Sequence, residues 1–214
     1  LFKKQYKVLG DFSIMLKWDE LFGGYKSDNK SSAKKGNKTN MGILLAPWII
    51  IWILISINST IGGVAGILSV AFVPLLWIYY KPTIFEQTSL PIIAGLSLGI
   101  LLGVESSIII TISYTAFGLL WTIGAFTKVP LSAYYSSVNH GEERAFSNPL
   151  FIHTNRILTA AWGVIYLCSS IWTYSIMLSS FSQYVGLINS IIPAFMGIFT
   201  LWFQKWYPAQ RAKG

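Results

Sequence analysis

Residues 106–127 read SSIIITISYTAFGLLWTIGAFT and carry no charged side chain. The hydrocarbon core of a bilayer is about 30 Å thick, and a helix rising 1.5 Å per residue crosses it in about 20 residues. This run is therefore long enough to span a membrane on its own. Outward from it, further apolar runs lie at 43–57, 61–80, 91–104, 157–178 and 184–204. Those at 61–80, 157–178 and 184–204 are also of full length, whereas 43–57 and 91–104 are short. Each short run meets a full one through a tight turn: Asn58-Ser59-Thr60 with Gly62-Gly63, and Val104-Glu105-Ser106-Ser107. Ser179 to Gln183 separates the last two runs. Connections this short make consecutive helices antiparallel neighbours. The pattern predicts an all-α integral membrane protein with six transmembrane helices arranged as three helical hairpins over residues 43–205.

Composition agrees. Of 214 residues, 53% are hydrophobic and 11% are charged, against about 25% charged in soluble domains. So little charge cannot cover a water-facing surface, which excludes an ordinary soluble globule and a disordered chain. The net charge of +8 is unevenly placed. Residues 1–42 hold nine lysines, and the other basic residues are Lys81, Lys128, Arg144, Arg156, Lys205, Arg211 and Lys213. With the N-terminal tail in the cytoplasm and six crossings, all sixteen basic residues fall on the cytoplasmic side, and the outer turns keep only Glu105. The bias of Lys and Arg toward cytoplasmic segments thus predicts a multi-pass plasma or inner membrane protein with both termini cytoplasmic, residues 206–214 included. There is no zinc-finger spacing and no recognition-helix pattern. The expected partner of the basic segments is the lipid bilayer, not nucleic acid.

Three of the runs end alike. Ala71-Phe72 and Leu76-Trp77 precede Lys81-Pro82; Ala116-Phe117 and Leu120-Trp121 precede Lys128 and Pro130; Ala194-Phe195 and Leu201-Trp202 precede Lys205 and Pro208. Tryptophan at the interface, lysine reaching the headgroups and proline stopping the helix account for the shared ending. The single cysteine, Cys168, excludes an intrachain disulfide and a multi-cysteine metal or iron–sulfur site, and its apolar context predicts a small buried hydrophobe.

Within 1–42, Ile14, Trp18, Leu21 and Tyr25 are spaced along one helical face, with Asp11 and Ser13 placed to cap it. This predicts a short amphipathic helix ahead of the bundle, lying on the membrane or against a preceding domain. The Lys-, Ser- and Asn-rich stretch from Lys26 to Asn40 reads as a flexible linker. No apolar core of signal-peptide length is present in 1–42. A chain starting at Leu1 leaves room for a soluble domain upstream, and residues 1–42 are the expected contact with that domain or with a cytoplasmic protein partner.

Candidate site residues are few. Glu105 is the only acid between Glu86 and Glu142. It reads either as a solvated carboxylate in an outer turn or as a proton or cation site drawn into the bilayer. Gly95, Gly99 and Gly103 recur at every fourth position, as do Gly62 and Gly66. Such glycines let backbones approach closely, with a glycine-lined path as the functional alternative. The polar segment from Lys128 to Arg156 holds Tyr134, Tyr135, His140, Glu142, Glu143, Arg144, His153, Asn155 and Arg156. His140 lies in an Asn-His-Gly turn and His153 just ahead of a helix, an arrangement unsuited to bis-histidine haem. His140, Glu142, Glu143 and His153 lack metal-ligand spacing. No catalytic group is assigned and no cofactor is expected within the chain.

Two stretches resemble known families. Pro130-Leu131-Ser132, Tyr134-Tyr135-Ser136, Asn148-Pro149-Leu150-Phe151 and Asn155 to Gly163 are similar to prokaryotic membrane proteins related to the intracellular septation protein A group, over about the last three helices. That resemblance implies a polytopic protein with a role near the envelope or the division machinery. Asp11 to Trp18 resembles the C-terminal end of flavodoxin-like reductases, which implies a flavin in a partner or upstream domain. The expected function is a membrane anchor or scaffold serving a cytoplasmic partner. The alternative is a small-solute or ion transporter using Glu105 and the glycine faces. Self-association of the bundle is left open.

Overall fold

The computed structural model describes residues 39–139, 143–181 and 184–211. The helix expected within residues 11–25, the linker up to residue 38, His140 and Glu142 lie outside the described residues. Every regular element among the described residues is helical. Helices α1 (Met41–Ile57), α2 (Ser59–Leu76), α3 (Ile84–Leu101) and α4 (Ser106–Phe126) follow in close succession. The short α5 (Leu131–Ser136), a 3₁₀ turn at Ser137–Asn139 and α6 (Glu143–Phe146) lead to the long α7 (Pro149–Met177) and α8 (Val185–Arg211). By length and composition α2, α3, α4 and α7 are able to cross a membrane, and α1 is a shorter apolar helix. Ile57, Phe72, Ile78, Leu102, Phe126 and Ile171 point outward, each between 61% and 83% exposed. Surface this apolar is a liability in water and compatible with membrane insertion.

Local chemistry places the helix ends. Asn58 alone separates α1 from α2. Its extended backbone donates its N–H to the Leu54 carbonyl, and its side chain accepts the Ile61 N–H. Ser59 and Thr60, expected in the turn, belong to α2. α3 starts well before its apolar run because Thr83 and Glu86 form a reciprocal capping box. It ends in a Schellman motif: Val104 N–H bonds the Gly99 carbonyl, Gly103 N–H bonds the Ile100 carbonyl, and Gly103 adopts φ +90°. Gly103 is therefore a helix-terminating glycine and not part of a packing face. α7 begins at Pro149, with the Asn148 side chain accepting the N–H groups of Leu150 and Phe151. The segment expected as a loop up to Arg156 is thus partly helical, and His153 lies inside α7, not ahead of it. Pro82 and Pro130 lie outside the helices, but Pro208 sits within α8 and does not stop it.

The centre is aromatic. Trp48 and Trp52 of α1 meet Tyr114, Phe117 and Trp121 of α4 and Trp162 and Tyr166 of α7. Trp52 stacks on Tyr114 at 4.5 Å and 11°, and Phe117 meets Tyr166 edge-on at 4.7 Å. The indole N–H of Trp52 bonds Ser113 Oγ at 2.8 Å, and that of Trp48 bonds Ser89 Oγ of α3 at 3.1 Å. The most extensive pairing joins α4 to α7, which are not sequence neighbours. There Gly118 faces Leu167 and Gly163 faces Thr122, an antiparallel crossing.

Glycines also seat α2. A Cβ on Gly62 would lie 2.6 Å from the Ile55 backbone nitrogen, and one on Gly66 would overlap Ser97 Oγ of α3. Gly99 touches Ile109, whereas Gly95 has nothing within 4 Å. The expected packing stripe on α3 therefore reduces to Gly99. Cys168 is exposed on α7, contrary to the expectation of burial, because the core-facing side of that helix at this level is taken by Tyr166, Ser169 and Ser170.

Candidate functional site

Polar side chains gather at the end of the bundle where α1 and α3 begin and α4 finishes. Glu86, in the first turn of α3, is 2% exposed. Its carboxylate accepts the Tyr135 hydroxyl at 2.9 Å and the Thr83 N–H at 3.4 Å. Thr83 Oγ1 accepts the Glu86 N–H at 3.3 Å and lies 3.0 Å from the Tyr135 hydroxyl oxygen. Among the described residues no basic group forms an ion pair with Glu86. A buried carboxylate is costly unless hydrogen-bonded. Here two donors and the positive end of the α3 dipole offset part of that cost. On α5, burial pushes the Tyr135 phenol above its ordinary range, with the adjacent Glu86 carboxylate adding to the effect.

Tyr135 reaches Glu86 because α5 is latched to α7. Ser132 Oγ donates to Asn155, 2.9 Å from its carbonyl oxygen and 3.1 Å from Oδ1, and lies 2.8 Å from Thr159 Oγ1. Ser136 Oγ donates to Asn155 Oδ1 at 2.9 Å, while Asn155 Nδ2 donates to the Phe151 carbonyl. Asn155 and Thr159 are almost fully buried. Beside the latch, Arg156 Nε donates to the Ala125 carbonyl at 2.9 Å and Nη2 to the Thr127 carbonyl at 3.2 Å. This guanidinium satisfies carbonyls that the end of α4 leaves free and sits at the negative pole of that helix.

A cleft of about 230 Å³ opens next to the Glu86–Tyr135 pair. Its lining includes Thr39, Lys81, Thr83, Tyr134, Ser137 and Phe146, and among the described lining residues Lys81 carries the charge. The hydroxyls of Thr39 and Ser137 both donate to the Tyr134 carbonyl, at 2.8 and 2.9 Å. The Tyr134 ring meets Phe85 and Phe146 edge-on.

The sequence-predicted residues divide as follows. Tyr134 and Tyr135 share this end, with Asn155 and Arg156 behind them as latches. His153 faces Tyr207 of α8 at 5.8 Å between ring centres. Glu105 is exposed at the opposite end, immediately before α4, and accepts the Ser107 hydroxyl at 2.6 Å. It does not line the cleft. Among the described residues no group of three His, Cys, Asp or Glu side chains is placed to hold a metal.

Glu86 and Thr83 were not singled out from the sequence, and Ser132 and Thr159 entered only within the stretches that carry a family resemblance. The Thr83-Ile84-Phe85-Glu86 string is the capping-box pattern before an apolar run, a signal able to reveal the first two. A second polar knot had no such signal. Asn189 of α8 accepts the Trp172 indole N–H at 2.8 Å, donates to Thr173 Oγ1 at 2.9 Å and lies beside the Tyr114 phenol.

The architecture is that of a helical protein compatible with membrane insertion, with one polar, partly cationic end. No protein-family model, curated protein or solved structure matches the chain.

Proposed function

We propose that the chain is a six-span membrane module that holds a cytoplasmic partner on its basic end. In this reading α1, α2, α3, α4, α7 and α8 all cross, as three hairpins, and both termini are cytoplasmic. The observation that carries it is convergence at one end. Thr39, where the basic tail meets the bundle, bonds Tyr134; the connection after α2 bonds Tyr135 through Thr83; and α5 is latched to α7 through Asn155. Segments far apart in sequence thereby form one composite face, and with six crossings all sixteen basic residues lie on its side of the membrane. The tail's resemblance to flavodoxin-like reductases makes a redox domain one partner to seek, visible by flavin absorption in co-purified material.

Transport through Glu105 and the glycine faces has less support. The space beside Gly62 and Gly66 is filled by Ile55, Ile51 and Ser97, and aromatic rings occupy the centre. The discriminating experiment compares affinity captures from membranes using the full chain and a chain lacking residues 1–38, which retains Thr39. Loss of specific captured proteins on truncation supports the anchor. Recovery of the same set without the tail refutes its role in docking.

A further inference from the structure

We propose that the cleft beside Lys81 binds a phospholipid headgroup that pairs a phosphate with an N–H donor, namely phosphoethanolamine. This rests on the membrane reading above. Lys81 is exposed and lines the cleft, which places an ammonium where it can meet a phosphate. The inner lining offers the opposite chemistry. Thr39 and Ser137 have already donated their hydroxyl hydrogens to the Tyr134 carbonyl. Their oxygens therefore retain lone pairs for a donor. The Glu86 carboxylate accepts the Thr83 N–H and adds negative potential on that side when ionised. Tyr134 and Phe146 complete the lining.

A cation at the mouth and acceptors within suit a dipolar ligand. They suit a bare phosphate less well, because it would meet oxygen acceptors on the inner side. The position fits a lipid source. The cleft lies between the end of α2 and the start of α3, and the apolar side chains leading away from it are open to lipid: Ile78 and Ile84 are 74% and 59% exposed. Acyl chains running along these residues leave the headgroup at Lys81. Its cavity of about 230 Å³ is sized for a headgroup and excludes a folded domain.

The test is a thermal-unfolding titration of the full chain in neutral detergent, with phosphatidylethanolamine, phosphatidylcholine, soluble phosphoethanolamine and inorganic phosphate in separate arms. Phosphatidylethanolamine should raise Tm, whereas phosphatidylcholine, whose quaternary amine lacks N–H donors, should raise it far less. Lys81→Gln should fold normally, keep its lipid-free Tm and lose about tenfold in apparent affinity for phosphatidylethanolamine, as expected for one charge-assisted contact. Equal responses to both lipids, or an unchanged titration in Lys81→Gln, overturn the proposal. Equal saturation by soluble phosphoethanolamine and the lipid overturns the lipid source, and a response to inorganic phosphate matching the lipid overturns the dipolar specificity. The membrane reading fails separately, by recovery of the chain in the aqueous fraction without detergent.

Discussion

Gly163→Ala tests the α4–α7 crossing with the addition of one methyl group. A Cβ at residue 163 would lie 2.7 Å from the Thr122 backbone nitrogen and closer still to Thr122 Oγ1. Ordinary contact begins at 3.4 Å, so the helices must separate by about 0.7 Å. Thr122 cannot yield simply by rotating, because its backbone is part of the clash and its hydroxyl is bonded to the Gly118 carbonyl at 2.8 Å. Overpacking of this kind costs about 1–3 kcal/mol. Replacing a helical glycine by alanine returns up to about 1 kcal/mol in helix propensity. The expected net loss is about 1–2 kcal/mol, near a tenfold shift in the folding equilibrium. Gly95→Ala is the control, because it gains the same propensity with nothing within 4 Å. Unfolding in mixed micelles of rising SDS fraction, followed by circular dichroism, measures both. Gly163→Ala must unfold at lower SDS than wild type, and Gly95→Ala at equal or higher SDS. Coincident curves for the two variants would refute the close crossing.

Other outcomes follow from the same geometry. Tyr135→Phe should cost about 1–2 kcal/mol through its bond to Glu86, and a double-mutant cycle with Glu86→Gln should show coupling; additive losses would disprove the pairing. Because the folded-state phenol of Tyr135 is pushed upward, its stabilisation is complete below about pH 10, where unfolded tyrosine stays neutral, and declines as pH rises further; Tyr135→Phe should weaken that alkaline loss. Arg156→Gln should lower stability by about 1–3 kcal/mol by leaving the Ala125 and Thr127 carbonyls unpaired, with Lys a poor substitute for the forked guanidinium. In a Cys168→Ser background, cysteines at Ser59 and Ser106 should label from outside intact cells, and one at Gln87 only after permeabilisation. External labelling at Gln87 would defeat the six-span topology.

Helical, apolar architecture was legible because it follows from local quantities. A charge-free run such as 106–127 has few ways to satisfy its backbone except as a helix, whatever lies beside it. Capping was equally local. Asn58, Asn148 and the Thr83–Glu86 box are written in adjacent residues, and reading them as caps would have given the true start of α3. The spacing of Gly62 and Gly66 announced close approach. It did not name Ile55 and Ser97 as the surfaces approached, nor distinguish these glycines from Gly95, which faces open space. Only the tertiary structure decided that α4 pairs most extensively with α7, that Tyr135 meets Glu86 across 49 positions of chain, and that Asn155 is a buried latch. The physical reason is the range of the interactions. Helix formation and capping draw on partners a single helical turn or so along the chain. Interhelical contacts depend on which faces meet, and that is set by the side-chain packing of all the helices together.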